Sequence, residues 1–271
     1  MRVTIITTCF NAQEHIRKTI ESVLRQTFMD YEYIIMDGAS KDDTLKIASE
    51  YEDAFLRRQI PYHIYSEPDT GIYDGMNHGV KKATGEYVNF MNAGDEFFDE
   101  KVLEKLFKRK DYPDIGIIYG DAAETEYGEQ YLFVKSISNI KKRMPFSHQS
   151  AFALRSLLTE HPFDLKYKIA ADYDFIMNCY DEGVKFYDSN LMICRVSKDG
   201  VSSVKLYDTF TETEEMLTAH GYPRYTPDEL KKKLFFLRIR QFGMDILPAA
   251  VKKKIRQIQR KQRGQDIKVD G

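Results

Sequence analysis

The residues best suited to chemistry in this chain stand where apolar runs stop. Asn89-Phe90-Met91-Asn92-Ala93-Gly94-Asp95-Glu96 ends an apparent buried strand in a glycine-containing turn that carries a carboxylate. Oxygen ligands suit hard divalent cations, so Asp95 can hold magnesium or manganese against a phosphate. The same residue can equally shape the turn or cap the following helix, and Glu96 reads as solvent-directed. Thr8, Phe10 and Asn11 follow the first apolar run, Asp37 ends the second, and Asp69 trails the third. An aromatic ring such as Phe10 can cover a planar base, and a carboxylate such as Asp37 can accept an imide proton. The plainer alternatives are a core aromatic and a turn-forming acid. Further along, Asp172 and Asp174 precede an apparent helix containing Ile176, Met177 and Tyr180, where the helix dipole alone favours acids. His148, in Phe146-Ser147-His148-Gln149-Ser150, is the remaining titratable candidate; a lone histidine is more often a hydrogen-bonded structural residue.

The elements that must position these groups alternate. Val3-Thr4-Ile5-Ile6-Thr7-Thr8 is a β-branched run, and Ile16, Ile20, Val23 and Leu24 recur at helical spacing after it. Tyr33-Ile34-Ile35-Met36 reads as a second strand, and Ser40, Asp42 and Asp43 supply helix-start chemistry before Leu45, Ile47 and Ala48. Pro61-Tyr62-His63-Ile64-Tyr65 reads as a third strand. Alternation at this spacing predicts an α/β fold, a mainly parallel central sheet with helices on both faces. Ligands in such sheets bind beyond the carboxyl ends of the strands, where Asn11, Asp37, Asp69 and Asp95 all fall. Gly71 and Gly75, beside Tyr73 and Asp74 on the loop after the third strand, serve backbone geometry.

Four ordered segments carry a resemblance: Thr4-Ile5-Ile6-Thr7-Thr8-Cys9-Phe10-Asn11, Ile35-Met36-Asp37-Gly38-Ala39-Ser40-Lys41-Asp42, Gly71-Ile72-Tyr73-Asp74-Gly75-Met76-Asn77 and Thr84-Gly85-Glu86-Tyr87-Val88-Asn89-Phe90-Met91-Asn92-Ala93-Gly94-Asp95. Together they resemble the inverting family 2 glycosyltransferases of the GT-A fold, closely over roughly the first hundred residues and more loosely to about Gly200. The resemblance implies a nucleotide-diphosphate sugar donor, with a UDP-sugar favoured, a Mn2+ or Mg2+ cofactor, and transfer to an acceptor hydroxyl with inversion. By position, Thr8, Phe10 and Asn11 would line the nucleoside pocket, Asp37 would bond a uracil-like base, and Asp69 would reach the nucleotide. Asp95 would touch the metal. Gly94 stands where the family often has a first acid, so Asn92 would substitute neutrally at the ribose. His148 would lie by the diphosphate and the acceptor, ligating metal, binding phosphate or orienting the sugar. The family's acidic acceptor-side motif, usually Glu-Asp, falls at Ala171-Asp172 with Ala171 in place of the Glu, which would make Asp172 the general base and Asp174 the reserve.

Composition narrows the classes. At 271 residues and 42% hydrophobic the chain can bury a sizeable core, and a formal charge of -2 argues against a nucleic-acid partner. Cys9, Cys179 and Cys194 are odd in number and lack metal spacing, which fits a reduced cytoplasmic compartment. The N-terminus runs straight into a strand without a signal-like stretch, and no run reaches transmembrane length. The first turn lacks the glycine-rich fingerprint of dinucleotide oxidoreductases. From Lys231 to Arg263, by contrast, the many cations are opposed by Asp245 alone and interleave with Phe235, Phe236, Ile239 and Phe242. That pattern predicts two parts, a catalytic domain over 1-222 and a basic amphipathic helical extension over 223-271. The extension reads either as a helix peripheral to the inner face of the membrane, beside a glycan or lipid-linked acceptor, or as a helix packed on the domain. Two functions stay open: a transferase in polysaccharide or glycan biosynthesis, and a nucleotide-sugar-binding scaffold without transferase activity. Only the first needs Asp172.

Overall fold

Strand β1 (Val3–Cys9) is buried along its whole length, as is β2 (Tyr31–Asp37). Both are rich in β-branched and aromatic residues, and their polar side chains Thr4, Thr7, Thr8, Glu32 and Asp37 are buried as well, as in strands covered on two faces. The structure, a computed structural model, describes residues 1–126, 129–133, 135–197, 206–247, 249–262 and 267–269. Strands β3 (Tyr62–Ser66) and β4 (Tyr87–Phe90) complete a parallel half-sheet in the order β3-β2-β1-β4. In its register Cys9 lies opposite Asp37, and Asp37 opposite Ser66, so the carboxyl ends of three strands finish level. Crossovers between them are made by α1 (Ile16–Leu24), the short helices α2 (Thr44–Ser49) and α3 (Glu52–Arg57), and α4 (Ile72–Lys82).

Beyond β4 the sheet becomes mixed. After β5 (Glu96–Phe97) and α5 (Val102–Phe107) come β6 (Ile115–Glu126), β7 (Glu129–Phe133) and β8 (Ala151–Leu154). Then follow α6 (Arg155–Glu160), α7 (Ala171–Asp181) and β9 (Lys185–Ser197). β8 runs antiparallel to both β4 and β6, and β9 pairs parallel to β6 and antiparallel to β5. The strand that carries Asn89 thus has an antiparallel neighbour, β8, and the mixed pairing beyond it brings distant residues back beside it. The two-residue period of the strands divides the core. Ile5, Tyr33 and Ile35 face a cluster with Ile16, Ile20 and Val23 of α1, while Ile6, Ile34 and Met36 face one with Met76 and Val80 of α4 and Phe175 and Ile176 of α7. Gly79 lets α4 settle on β1, since a Cβ there would lie 2.8 Å from Ile6 Cγ2.

The C-terminal part is helical: α8 (Leu206–Ala219), α9 (Pro227–Ile246) and α10 (Ala249–Gln262). α9 packs on α8 through the buried Leu237, and Gln241 Oε1 accepts the Tyr207 amide at 2.9 Å. The chain then returns to the sheet, where Leu132 N donates to Ile267 O and Val269 N to Gln130 O, extending β7 by a short bridge. Nothing in the sequence signalled that return.

Candidate active site

Thr8, Asp37, Asn92 and Asp95 converge at the carboxyl ends of β1, β2 and β4. From there one hydrogen-bonded chain crosses to the start of α7. Thr8 Oγ1 donates to Asn92 Oδ1 at 2.8 Å, and Asn92 Nδ2 meets His148 Nε2 at 3.1 Å. His148 Nδ1 pairs with Asp172 Oδ2 at 2.8 Å, and Asp172 Oδ1 accepts from Tyr73 Oη at 3.1 Å and from Tyr173 N at 2.8 Å. With Nδ1–H toward the carboxylate, Nε2 is left to accept the Asn92 amide, which is the neutral tautomer. Adding a proton at Nε2 requires Asn92 to turn its oxygen toward the ring. Burial acts most strongly on His148 and pulls its pKa down, but the bond to Asp172, that carboxylate's charge and the charge of Asp95 together raise it. Burial, then the Asp172 charge, pushes the Tyr73 phenol well above its usual range, so it stays a donor.

Asp95 is held by the residue next to His148. Gln149 Nε2 donates to its Oδ2 at 2.8 Å, and Ser197 N to its Oδ1 at 3.2 Å. Residues His148–Ser150 form a single 3₁₀ turn, so consecutive side chains of one rigid turn grip Asp172 and Asp95. The Asp95 side chain is buried, with the residue only 7% exposed, and both direct partners are neutral. Burial accordingly raises its pKa, against the Gln149 bond, the charge of His148 and the Ser197 amide. A carboxylate buried without an adjacent cation is costly, and a divalent ion would relieve that cost. Each oxygen keeps one lone pair, so Asp95 fits a site in which magnesium or manganese leans on one protein carboxylate and on substrate phosphates. Among the described residues no group of three or more His, Cys, Asp or Glu gathers as a complete metal cage.

Asp37 is 1% exposed and already well satisfied. Its Oδ2 accepts Ser40 N at 2.9 Å and Ser66 Oγ at 2.7 Å, and its Oδ1 accepts Ser40 Oγ at 2.5 Å, with only the weak Cys9 thiol at 3.7 Å beside it. Oδ1 therefore retains the capacity for one more strong donor. Asp69 lies against the same corner: Gly71 N donates to its Oδ1, and a Cβ on Gly38 would fall 2.8 Å from its Oδ2, one on Gly75 3.1 Å. These glycines make room for a carboxylate, a role that spacing alone did not reveal. Phe10 is 61% exposed, which removes the core-aromatic alternative. Asn11 adopts φ +47°, donates its N–H to Ser40 Oγ and accepts Lys41 N, stapling the first two strand-end loops together. Asp174 turns away from Asp172 to His220 Nε2 at 3.0 Å, and Asp74 accepts Thr70 N and Oγ1 at the start of α4. Gln149 and Ser197 escaped sequence reasoning. The first sits inside a segment flagged for its histidine, and the second acts through a backbone N–H that no side-chain type announces.

Known proteins agree with this architecture. The model of "Glycosyl transferase family 2" matches residues 4–163. A PGL/p-HBAD biosynthesis glycosyltransferase of Mycobacterium bovis is 30% identical over 179 residues, spanning 65% of this chain and 68% of its own. The putative teichuronic acid biosynthesis glycosyltransferase TuaG of Bacillus subtilis is 33% identical over 104 residues, 38% of this chain and 40% of its own. Among solved structures, S. aureus TarS 1-349 in complex with UDP-GlcNAc superposes with TM-score 0.64 at 18% identity, covering 81% of this chain and 66% of that one. Mannosyltransferase PcManGT from Pyrobaculum calidifontis, in complex with GDP-Man and Mn2+, gives 0.65 at 17% identity over 86% and 68%. The chain thus spans about two thirds of these proteins, and less than half of TuaG. At such identities the structural likeness speaks for the fold, and the sequence matches speak for the family: the chain belongs to glycosyl transferase family 2 and is a glycosyltransferase of the GT-A fold.

Proposed function

We propose that the protein transfers a sugar, with inversion, from a nucleotide-diphosphate donor to an acceptor hydroxyl, Asp172 acting as general base and Asp95 holding Mn2+ or Mg2+. The observation that carries this reading is the pair of carboxylates gripped by His148 and Gln149 on one turn. Asp172 Oδ1 accepts Tyr173 N and shares the Tyr73 hydroxyl proton with Ile169 O, which lies closer to that hydroxyl at 2.7 Å, whereas Oδ2 has one lone pair free beside His148. The acceptor hydroxyl therefore approaches Oδ2. Its oxygen bonds the anomeric carbon, its proton passes to Asp172, and the bond to the diphosphate breaks with its electron pair leaving on the nucleotide. A metal held at Asp95 would supply charge stabilisation for that leaving diphosphate. His148, donating through Nδ1–H, fixes the rotamer of Asp172.

At the donor end a uracil-like imide N–H would use the spare capacity of Asp37 Oδ1, the exposed Phe10 ring would cover the base, and Asp69 and Asn92 would reach the nucleotide. Thr8 orients Asn92. A UDP-sugar is favoured on this account; the relatives bound to UDP-GlcNAc and GDP-Man support the donor class. The acceptor is proposed to be a lipid-linked glycan in surface-polysaccharide synthesis, in line with the teichuronic acid and PGL/p-HBAD descriptions of the relatives. A thermal-shift panel of nucleotide sugars, each with and without manganese, tests the donor reading. Stabilisation by UDP-sugars that grows with manganese is expected; no shift with any nucleotide overturns it.

A further inference from the structure

The face of α9 that points away from α8 is apolar and rimmed by cations. Leu237 is buried and Gln241 bonds Tyr207, which fixes the inward side of the helix. Phe235, Ile239 and Phe242 recur at i, i+4 and i+7 on the opposite side, Phe236 stands beside them, and each is more than half exposed. Lys231, Lys232 and Arg240, all exposed, flank this stripe, and no acid lies between Lys231 and Arg240. On the next helix Val251 and Ile258 of α10 are exposed, and its sequence from Lys252 to Lys261 holds cations and no acid. Single exposed apolar side chains are ordinary; four large ones in one stripe mark an interaction surface.

We infer that the Phe235–Phe236–Ile239–Phe242 face of α9 lies in the surface of an anionic lipid bilayer. The charge on its rim selects the occupant. Exposed cations flanking aromatic side chains complement acidic headgroups above and acyl chains below. Among the described residues no helix is long and apolar enough to cross a membrane, so the contact is one of lying on the surface. The inference deepens the lipid-linked acceptor reading and rests on it only for its biological sense, because the stripe and its rim stand without any assumption about catalysis.

The test is cosedimentation of the full chain with phosphatidylcholine vesicles, with and without phosphatidylglycerol, over a range of salt. The wild type should bind the anionic vesicles, bind less as salt rises, and bind neutral vesicles weakly. The quadruple variant Phe235→Ser/Phe236→Ser/Ile239→Ser/Phe242→Ser should lose roughly a hundred-fold or more in partitioning, since even half-burial of four such side chains is lost. Lys231→Glu/Lys232→Glu/Arg240→Glu should abolish the preference for anionic lipid. Melting temperature and UDP binding, measured in the same samples, should stay unchanged in both variants, which separates failure of the membrane surface from failure of the transferase reading. Wild-type protein that ignores anionic vesicles at low salt overturns the inference. So does a quadruple variant that still binds, or a wild type that is a dimer in solution and becomes monomeric only in that variant, since a second copy would then cover the stripe.

Discussion

Replacing Asp95 by Asn should make the metal-free protein more stable while destroying its response to divalent ions. The ionised carboxylate sits buried with only a Gln amide and a backbone N–H as direct partners. Hydrogen bonds to a charged group each contribute about 1.5–3 kcal/mol, while burying an ion costs several kcal/mol even after relaxation. Asn keeps one acceptor, and Gln149 can turn its amide to meet the new NH2, so the exchange should favour the variant by about 1 kcal/mol near neutral pH. In a chain of this size that corresponds to a rise of roughly 2–4 °C in melting temperature. The pH dependence has a definite sign. Because the folded pKa of Asp95 lies above the unfolded value near 3.8, its favourable contribution is complete below that value and is lost as pH rises through the folded one. The variant should lack that decline. Adding manganese with UDP should reverse the ranking, stabilising the wild type by about 2.7 kcal/mol at a hundred-fold excess over the dissociation constant and leaving the variant nearly unmoved. Scanning fluorimetry across pH, with and without manganese and UDP, reads all of this. A variant less stable than wild type without metal, or one gaining equally from manganese, would show that Asp95 neither bears that burial cost nor holds the ion.

Asp172→Asn should lower the pKa of His148, because it removes the bond and the charge that outweigh burial; an unchanged imidazole titration by NMR would contradict the pairing. In the wild type the stabilisation from His148 should be complete below the unfolded value of 6.5 and fade as pH rises through the folded one, and melting curves of wild type and Asp172→Asn through this window check it. Gly38→Ala should leave melting within about 1 kcal/mol of wild type yet weaken UDP binding, since the added methyl displaces the end of the Asp69 side chain rather than backbone; unaltered affinity by calorimetry would free Asp69 from the nucleotide. Asp37→Asn should weaken uridine and UDP alike, by about 1–3 kcal/mol, as expected for a contact to the base; a loss confined to UDP would move the contact to the phosphates.

Much of this was legible because local rules and global fold agree in the first half of the chain. Runs such as Ile34-Ile35-Met36 are buried on both faces, so composition alone marks them, and a parallel sheet sends every strand end to the same edge, so Asp37 and Asp95 could be grouped before any contact was known. The second half was less readable. β8 and β9 reach their neighbours by antiparallel and long-range pairing, which leaves no local pattern, and Gln149 meets Asp95 only because β8 returns beside β4. The carboxylate of Asp37 gave no hint that Ser40 and Ser66 would fill most of its capacity. In the tail, periodicity found the apolar and basic residues but could not sort them; the structure does so, turning Leu237 inward and Phe235, Phe236, Ile239 and Phe242 outward.

The most direct test of the account is the division of labour between the two carboxylates on the His148–Gln149 turn. Asp172→Asn, with Asp174→Asn as control, should be assayed for UDP release from a panel of UDP-sugars with manganese, water serving as acceptor, alongside UDP affinity by calorimetry. Asn keeps an oxygen for Tyr73 and Tyr173, so the fold and the donor site should persist. The account predicts that Asp172→Asn loses about 10²- to 10⁴-fold in turnover at unchanged UDP affinity, while Asp174→Asn stays near wild type. Near-normal turnover in Asp172→Asn, or a dead Asp174→Asn that melts normally, would contradict it.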